Sequence, residues 1–149
     1  MITGEERYIC NQQKELYEYA QSKRANIEKF SDAFMNSDFC NRSLDKPYSV
    51  DQFADIVNWL EFLEKDCPVV PDVFQSRRVS FETAGWIGFI YRYLHFETGL
   101  TSKELSARIP VEKLIIAYPG LHTIDEDMAA EIIAHDFNIP IIEKRRGSN

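Results

Sequence analysis

Between Ser80 and Gly99 the chain reads SFETAGWIGFIYRYLHFETG, and this stretch sets the terms for everything around it. Ser80 is a strong helix-capping residue, Gly99 supplies a stop, and no proline lies between them. On a helix over about Phe81–Glu97, the side chains of Phe81, Ala84, Trp86, Ile87, Phe89, Ile90, Tyr93 and Leu94 fall on nearly every side. A helix apolar all round must be covered by neighbours all round, so this segment predicts the centre of a bundle. Gly85 and Gly88 each weaken a helix by roughly 1 kcal/mol relative to alanine, and the compensation expected is close approach of a second helix.

Other segments have the one-sided pattern that could cover it. Residues 5–24 contain no Gly or Pro and place Tyr8, Ile9, Leu16, Tyr19 and Ala20 on an imperfect apolar face. Residues 25–35 continue with Ile27, Phe30 and Phe34, and Asn36-Ser37-Asp38 offers a stop before a short turn through Phe39-Cys40. Ser49-Val50-Asp51-Gln52 has the form of a capping box and predicts a helix to about Lys65, its stripe formed by Phe53, Ile56, Val57, Leu60 and Leu63. Thr101-Ser102-Lys103-Glu104 repeats that signature for a short helix to Ile109. Pro110 suits the first position of a helix through Tyr118, which Pro119-Gly120 is expected to end. Thr123-Ile124-Asp125-Glu126 then predicts a capped last helix with Met128, Ile132, Ile133 and Phe137 facing inward and His135 in its final turn. Asn138–Ile142 reads as a short extended piece.

These elements predict an all-α protein, a compact bundle of six or seven short helices in one domain over residues 1–143. A chain of 149 residues with 44% hydrophobic content can bury a core without staples. An N-terminal half over about 1–65 and a C-terminal half over 80–137 are joined by residues 66–79. There Val69, Val70, Val73 and Phe74 are apolar enough to be expected to pack across the halves. Residues 144–149 read as a frayed tail.

Charge narrows the function classes. A net charge of −7 repels phosphate backbones, and the basic groupings Arg77-Arg78 and Lys144-Arg145-Arg146 are short, so no nucleic-acid partner is expected. Cys10, Cys40 and Cys67 are an odd number at wide spacings, and Met1–Arg7 has no apolar leader; reduced thiols in a cytoplasmic protein are the expectation. The apolar run Ala84–Tyr91 stops at Arg92, well short of the ~20 residues needed to span a bilayer.

Candidate chemistry is sparse. His122 and His135 stand at opposite ends of the predicted last helix, roughly 20 Å apart at 1.5 Å per residue, too far to share a metal. No C-x-x-C or H-x-x-x-H pair occurs, and Gly85-x-x-Gly88 lacks the Lys-Ser/Thr of a phosphate loop, so neither metal nor cofactor is expected. Arg92 and His95 share a helical face, but two intervening residues do not match the four to six of the helical ribonucleases that use an Arg-His pair. The stretch Phe34–Arg42, FMNSDFCNR, alternates polar and large apolar residues around a helix break; its first reading is structural, with Phe34, Phe39 and Cys40 packing while Ser37 and Asp38 cap, and its second is recognition, with Asp38, Phe39 and Arg42 as candidates for partner contact. His122 is read as a side chain that bonds a nearby backbone carbonyl and organises the Pro119–Thr123 turn.

From Phe81 to Phe137 the order of features resembles a family of small bacterial domains of unknown function. The residues that carry the resemblance are Thr101-Ser102-Lys103-Glu104-Leu105, Tyr118-Pro119-Gly120-Leu121-His122-Thr123, and Ala130-Glu131-Ile132-Ile133; Pro119-Gly120 departs from the family pattern. Members look like accessory partners encoded beside ADP-ribosyltransferase-like toxins. The resemblance implies a non-enzymatic protein-protein interaction module, antitoxin-like or regulatory, with Tyr118 and His122 as contact residues. The competing expectation is a small helical hydrolase or ribonuclease whose site joins His95 or His122 to nearby Arg and Asp side chains.

Overall fold

The computed structural model describes residues 1–47, 49–75 and 78–142. The expected tail, the Lys144-Arg145-Arg146 group and Arg77 fall outside them. Among the described residues seven α-helices form one bundle: α1 (Gly4–Ser22), α2 (Ile27–Met35), α3 (Ile56–Leu63), α4 (Phe81–Thr98), α5 (Ser102–Arg108), α6 (Val111–Leu121) and α7 (Glu126–Asp136). A π-helical turn, Cys40–Leu44, and a 3-10 turn, Val50–Phe53, lie between α2 and α3. Among the described residues there is no strand, only an isolated bridge between Ala25 and Pro71.

Helix α4 is the central element that its composition demands. Ala84, Ile87, Ile90, Tyr91, Tyr93 and Leu94 are fully buried, and α4 packs most extensively on α1. The two glycines make that contact possible. A Cβ at Gly88 would lie 2.7 Å from the Gln13 carbonyl oxygen, and one at Gly85 would lie 2.7 Å from the Glu18 carboxylate. Ser80 caps α4 by accepting from the Thr83 N–H, and Gly99 ends it in the left-handed conformation at φ 77°. The Thr101–Glu104 capping box opens α5 as expected. Pro110 caps α6 rather than occupying its first turn.

Four local expectations are corrected by tertiary structure. Ser49 forms no side-chain cap, because the Gln52 amide is drawn inward to the carbonyls of Ser43, Leu44 and Lys46. The chain therefore makes a 3-10 turn and restarts as α3, capped by Asp55 and burying Trp59 and Leu63, while Phe53 and Val57 stay exposed. Pro119-Gly120 does not end α6: the helix runs through both to Leu121, since so near the end proline removes a single N–H and the next bond, His122 N–H to the Tyr118 carbonyl at 3.0 Å, still forms. Asp125 replaces Thr123 as the cap of α7, accepting from the Asp127 N–H at 2.8 Å. The buried face of α7 is then Ala129, Ala130, Ile133 and Ala134, and Met128 and Ile132 are exposed.

The connection before α4 also departs from expectation. Val69 packs on the core, but Val70, Val73 and Phe74 are exposed, Phe74 at 93%. Its backbone is held by polar contacts instead: the Asp72 N–H donates to the Arg24 carbonyl, and Asp72 caps the Phe74 N–H.

Candidate functional site

Two constellations stand out, one closed and one open. The closed one centres on Arg92, whose side chain is wholly buried in α4. Its guanidinium donates to Gln13 Oε1 at 2.8 Å, Asp45 Oδ1 at 3.0 Å, Ser102 Oγ at 2.7 Å and Cys40 Sγ at 3.5 Å. Asp45 in turn accepts from the Ser102 N–H and hydroxyl at 3.0 and 2.6 Å. One buried charge pair thus ties α1, the π-helical turn, α4 and α5 together. His95, one turn on, has Nδ1 at 2.7 Å from the Leu100 carbonyl and 3.7 Å from Asp45 Oδ1. It borders a cavity of about 700 Å³ that Glu5, Glu6, Lys46 and Phe53 also line. Glu97, at the end of α4, is fully buried and lies 2.9 Å from the Met1 amino nitrogen.

The open constellation is a groove of about 310 Å³ between α1, α4 and the end of α6. Arg7, Asn11, Lys14 and Glu18 recur at intervals of four, three and four and so line one face of α1. From α4 come Phe81, Glu82, Trp86 and Phe89; from α6 come Tyr118 and His122. The passage of α6 through Pro119 places Tyr118 and His122 one turn apart on the same face. Their rings stack with centroids 4.2 Å apart and 13° between planes, and His122 Nδ1 lies 2.8 Å from the Tyr118 carbonyl. Trp86 meets Tyr118 edge-on at 5.6 Å. Trp86 and Tyr118 are half-buried, and the rims carry charge of both signs. Burial, with Glu15 and Glu82 nearby and Lys14 opposing, raises the Glu18 carboxyl above the usual range.

The structure brings Tyr118 and His122 together but gives Asp38, Phe39 and Arg42 a different setting. Phe39 is only 6% exposed, packed edge-on against Trp59 and stacked on Phe62, which matches the structural reading of this stretch and not the exposed aromatic of the recognition reading. Asp38 and Arg42 are exposed beside it, and the Asp38 N–H donates to Asp66 at 2.7 Å. Among the described residues no group of three or more His, Cys, Asp or Glu side chains is placed to hold a metal ion. No helix of the described residues is long and apolar enough to cross a membrane.

Sequence reasoning missed Gln13, Asp45 and Ser102 as partners of Arg92, and Glu18, Glu82 and Trp86 as groove residues. The first set had a signal. A lone arginine in an otherwise apolar helix needs a buried acceptor. The second had none, because the groove is assembled from helices far apart in sequence. Comparison with family models, with curated proteins and with solved structures found no match to the chain.

Proposed function

We propose that this protein is a non-enzymatic interaction module that binds a partner protein through the groove between α1, α4 and α6. The observation that carries this reading is the contrast between the two constellations. Arg92 and Asp45, the groups best suited to chemistry, are 0% and 4% exposed and satisfy each other. Trp86, Tyr118 and His122 instead meet at an open rim, and half-buried aromatic anchors beside charged rims are what binding hot spots are made of. An antitoxin-like or regulatory role fits the acidic chain, whose net charge of −7 suits a basic partner. The test is affinity capture from the native host with wild type and with Trp86→Ala and Tyr118→Ala. A stoichiometric protein retained by wild type and lost by both variants supports the module; a partner retained equally by all three overturns the assignment to this groove.

A second reading, a small hydrolase or ribonuclease, is favoured by one observation: His95 stands beside Asp45 at the wall of the 700 Å³ cavity. Turnover of RNA or of a nucleotide that disappears in His95→Ala would establish it over the module.

A further inference from the structure

The groove has a chemistry more specific than aromatic. At one end Arg7 shows what its surfaces accept: the guanidinium lies over the Phe89 ring at 5.6 Å and its Nη1 is 3.3 Å from Glu126 Oε1. A cation over a ring with a carboxylate at its edge is a favourable pairing, and guanidinium suits it best because it stacks and forks at once. The other end repeats the components. Trp86 offers the aromatic surface that binds cations most strongly, with Tyr118 against it and Phe81 at the mouth. Glu18 and Glu82 supply two carboxylates from facing helices, and among the described residues neither makes an ion pair within 4.0 Å. Gly85 sets this arrangement. With no side chain there, the Glu18 carboxylate folds onto α4, within 2.7 Å of where a Cβ would stand. Burial disfavours the Glu18 charge and the nearby Glu82 carboxylate adds to it; a ligand cation relieves both. Lys14 on the same rim is half the counter-charge that two carboxylates require.

From this juxtaposition we infer that the groove is a receptor for a basic side chain of the partner, an arginine or lysine whose stem lies on Trp86 and Tyr118 and whose head sits between Glu18 and Glu82. The inference rests on the interaction-module reading and names the residue type that the module takes. It also explains how an acidic protein selects: an apolar or acidic anchor entering the groove would leave two carboxylates desolvated and unpaired.

The test uses the full chain labelled with nitrogen-15 and two small probes, N-acetyl-arginine amide and its neutral near-isostere N-acetyl-citrulline amide. The arginine probe is expected to shift the Trp86 indole N–H resonance saturably, with an affinity on the order of millimolar, and the citrulline probe to bind about tenfold more weakly or not at all. Glu18→Gln with Glu82→Gln, both at a hydrated rim, should abolish the difference between probes while leaving the spectrum folded. Equal binding of both probes, or no shift with arginine, overturns the inference. Failure here is separable from failure of the module. A captured partner lost by Trp86→Ala but kept by the Glu18→Gln/Glu82→Gln variant sinks the basic-anchor inference alone. A partner indifferent to Trp86 and Tyr118 sinks the groove altogether.

Discussion

Arg92 and Asp45 form an ion pair at 3.0 Å with both side chains out of water, and Ser102 bridges them, accepting from Arg92 and donating to Asp45. Removing one member strands the other. Arg92→Met, close in length and apolar, should destabilise the protein by about 3–5 kcal/mol because it leaves a buried carboxylate without its cation. Adding Asp45→Asn should recover part of that loss. Denaturant unfolding of the four proteins of this cycle measures the coupling; simple additivity would show that the pair is not the fold's internal clamp.

The two glycines of α4 face different neighbours and should respond differently. At Gly88 an alanine would meet the Gln13 carbonyl oxygen at 2.7 Å and the Tyr17 ring at 2.8 Å, both in the buried contact between α1 and α4. Neither can yield without moving a helix, so Gly88→Ala should cost about 1–3 kcal/mol. At Gly85 the obstacle is the flexible end of Glu18, and the gain in helix propensity of roughly 1 kcal/mol offsets its displacement. Gly85→Ala should therefore unfold within about 0.5 kcal/mol of wild type in thermal or chemical denaturation, while its Glu18 carboxylate is pushed out of the groove.

Folding stability should carry a signature of Glu18. Its carboxyl is raised in the folded state by burial and by Glu15 and Glu82, against Lys14. The folded protein thus binds more protons than the unfolded chain between the ordinary glutamate value of about 4.3 and the raised one, and stability from this group falls as pH rises through that window. Glu18→Gln removes the effect. Relative to wild type, its denaturation midpoint should improve with rising pH and then level off, by less than about 1 kcal/mol because solvent screens this partly exposed site. A constant difference across pH would contradict it.

Much of the helix plan was legible because caps and periodicity are local. Ser80, Gly99 and the Thr101–Glu104 box act through neighbours three or four residues away, and the structure uses each as read. Where the reading failed, a distant group had claimed the residue. Gln52 is taken by the carbonyls of the π-helical turn, and Glu126, the expected reciprocal partner of Thr123, is taken by Arg7 from α1. The exposure of Val73 and Phe74 had no local signal, since composition alone cannot say whether an apolar loop finds a surface to cover. In the site, Tyr118 and His122 were visible as a motif, but their stacking required the helix to survive Pro119.

The thiols should be silent in the native protein. Cys10, Cys40 and Cys67 are all buried, and burial pushes the Cys40 thiol up to about 11 and the Cys67 thiol up to about 12, with Cys10 raised as well. Only thiolate attacks a disulfide reagent, so raising these thiols suppresses the reactive form, before access is considered. An aromatic disulfide reagent should release no rapid colour from folded protein and three equivalents after denaturation in guanidinium, matching the three cysteines of the chain. A fast equivalent from native protein would mean that one of these sites opens.

The seating of α4 on α1 also fixes an order of events at the ribosome. α1 is complete at Ser22, yet the helix that receives its apolar face begins only at Phe81, roughly 60 residues later, so at 5–20 residues per second α1 waits about 3–12 s for its mate. Through that interval Leu16, Tyr17 and Ala20, wholly enclosed in the finished molecule, have no α4 to cover them. Nascent chains stalled before residue 81 should bind holdase chaperones, and those stalled after α4 has emerged should let them go.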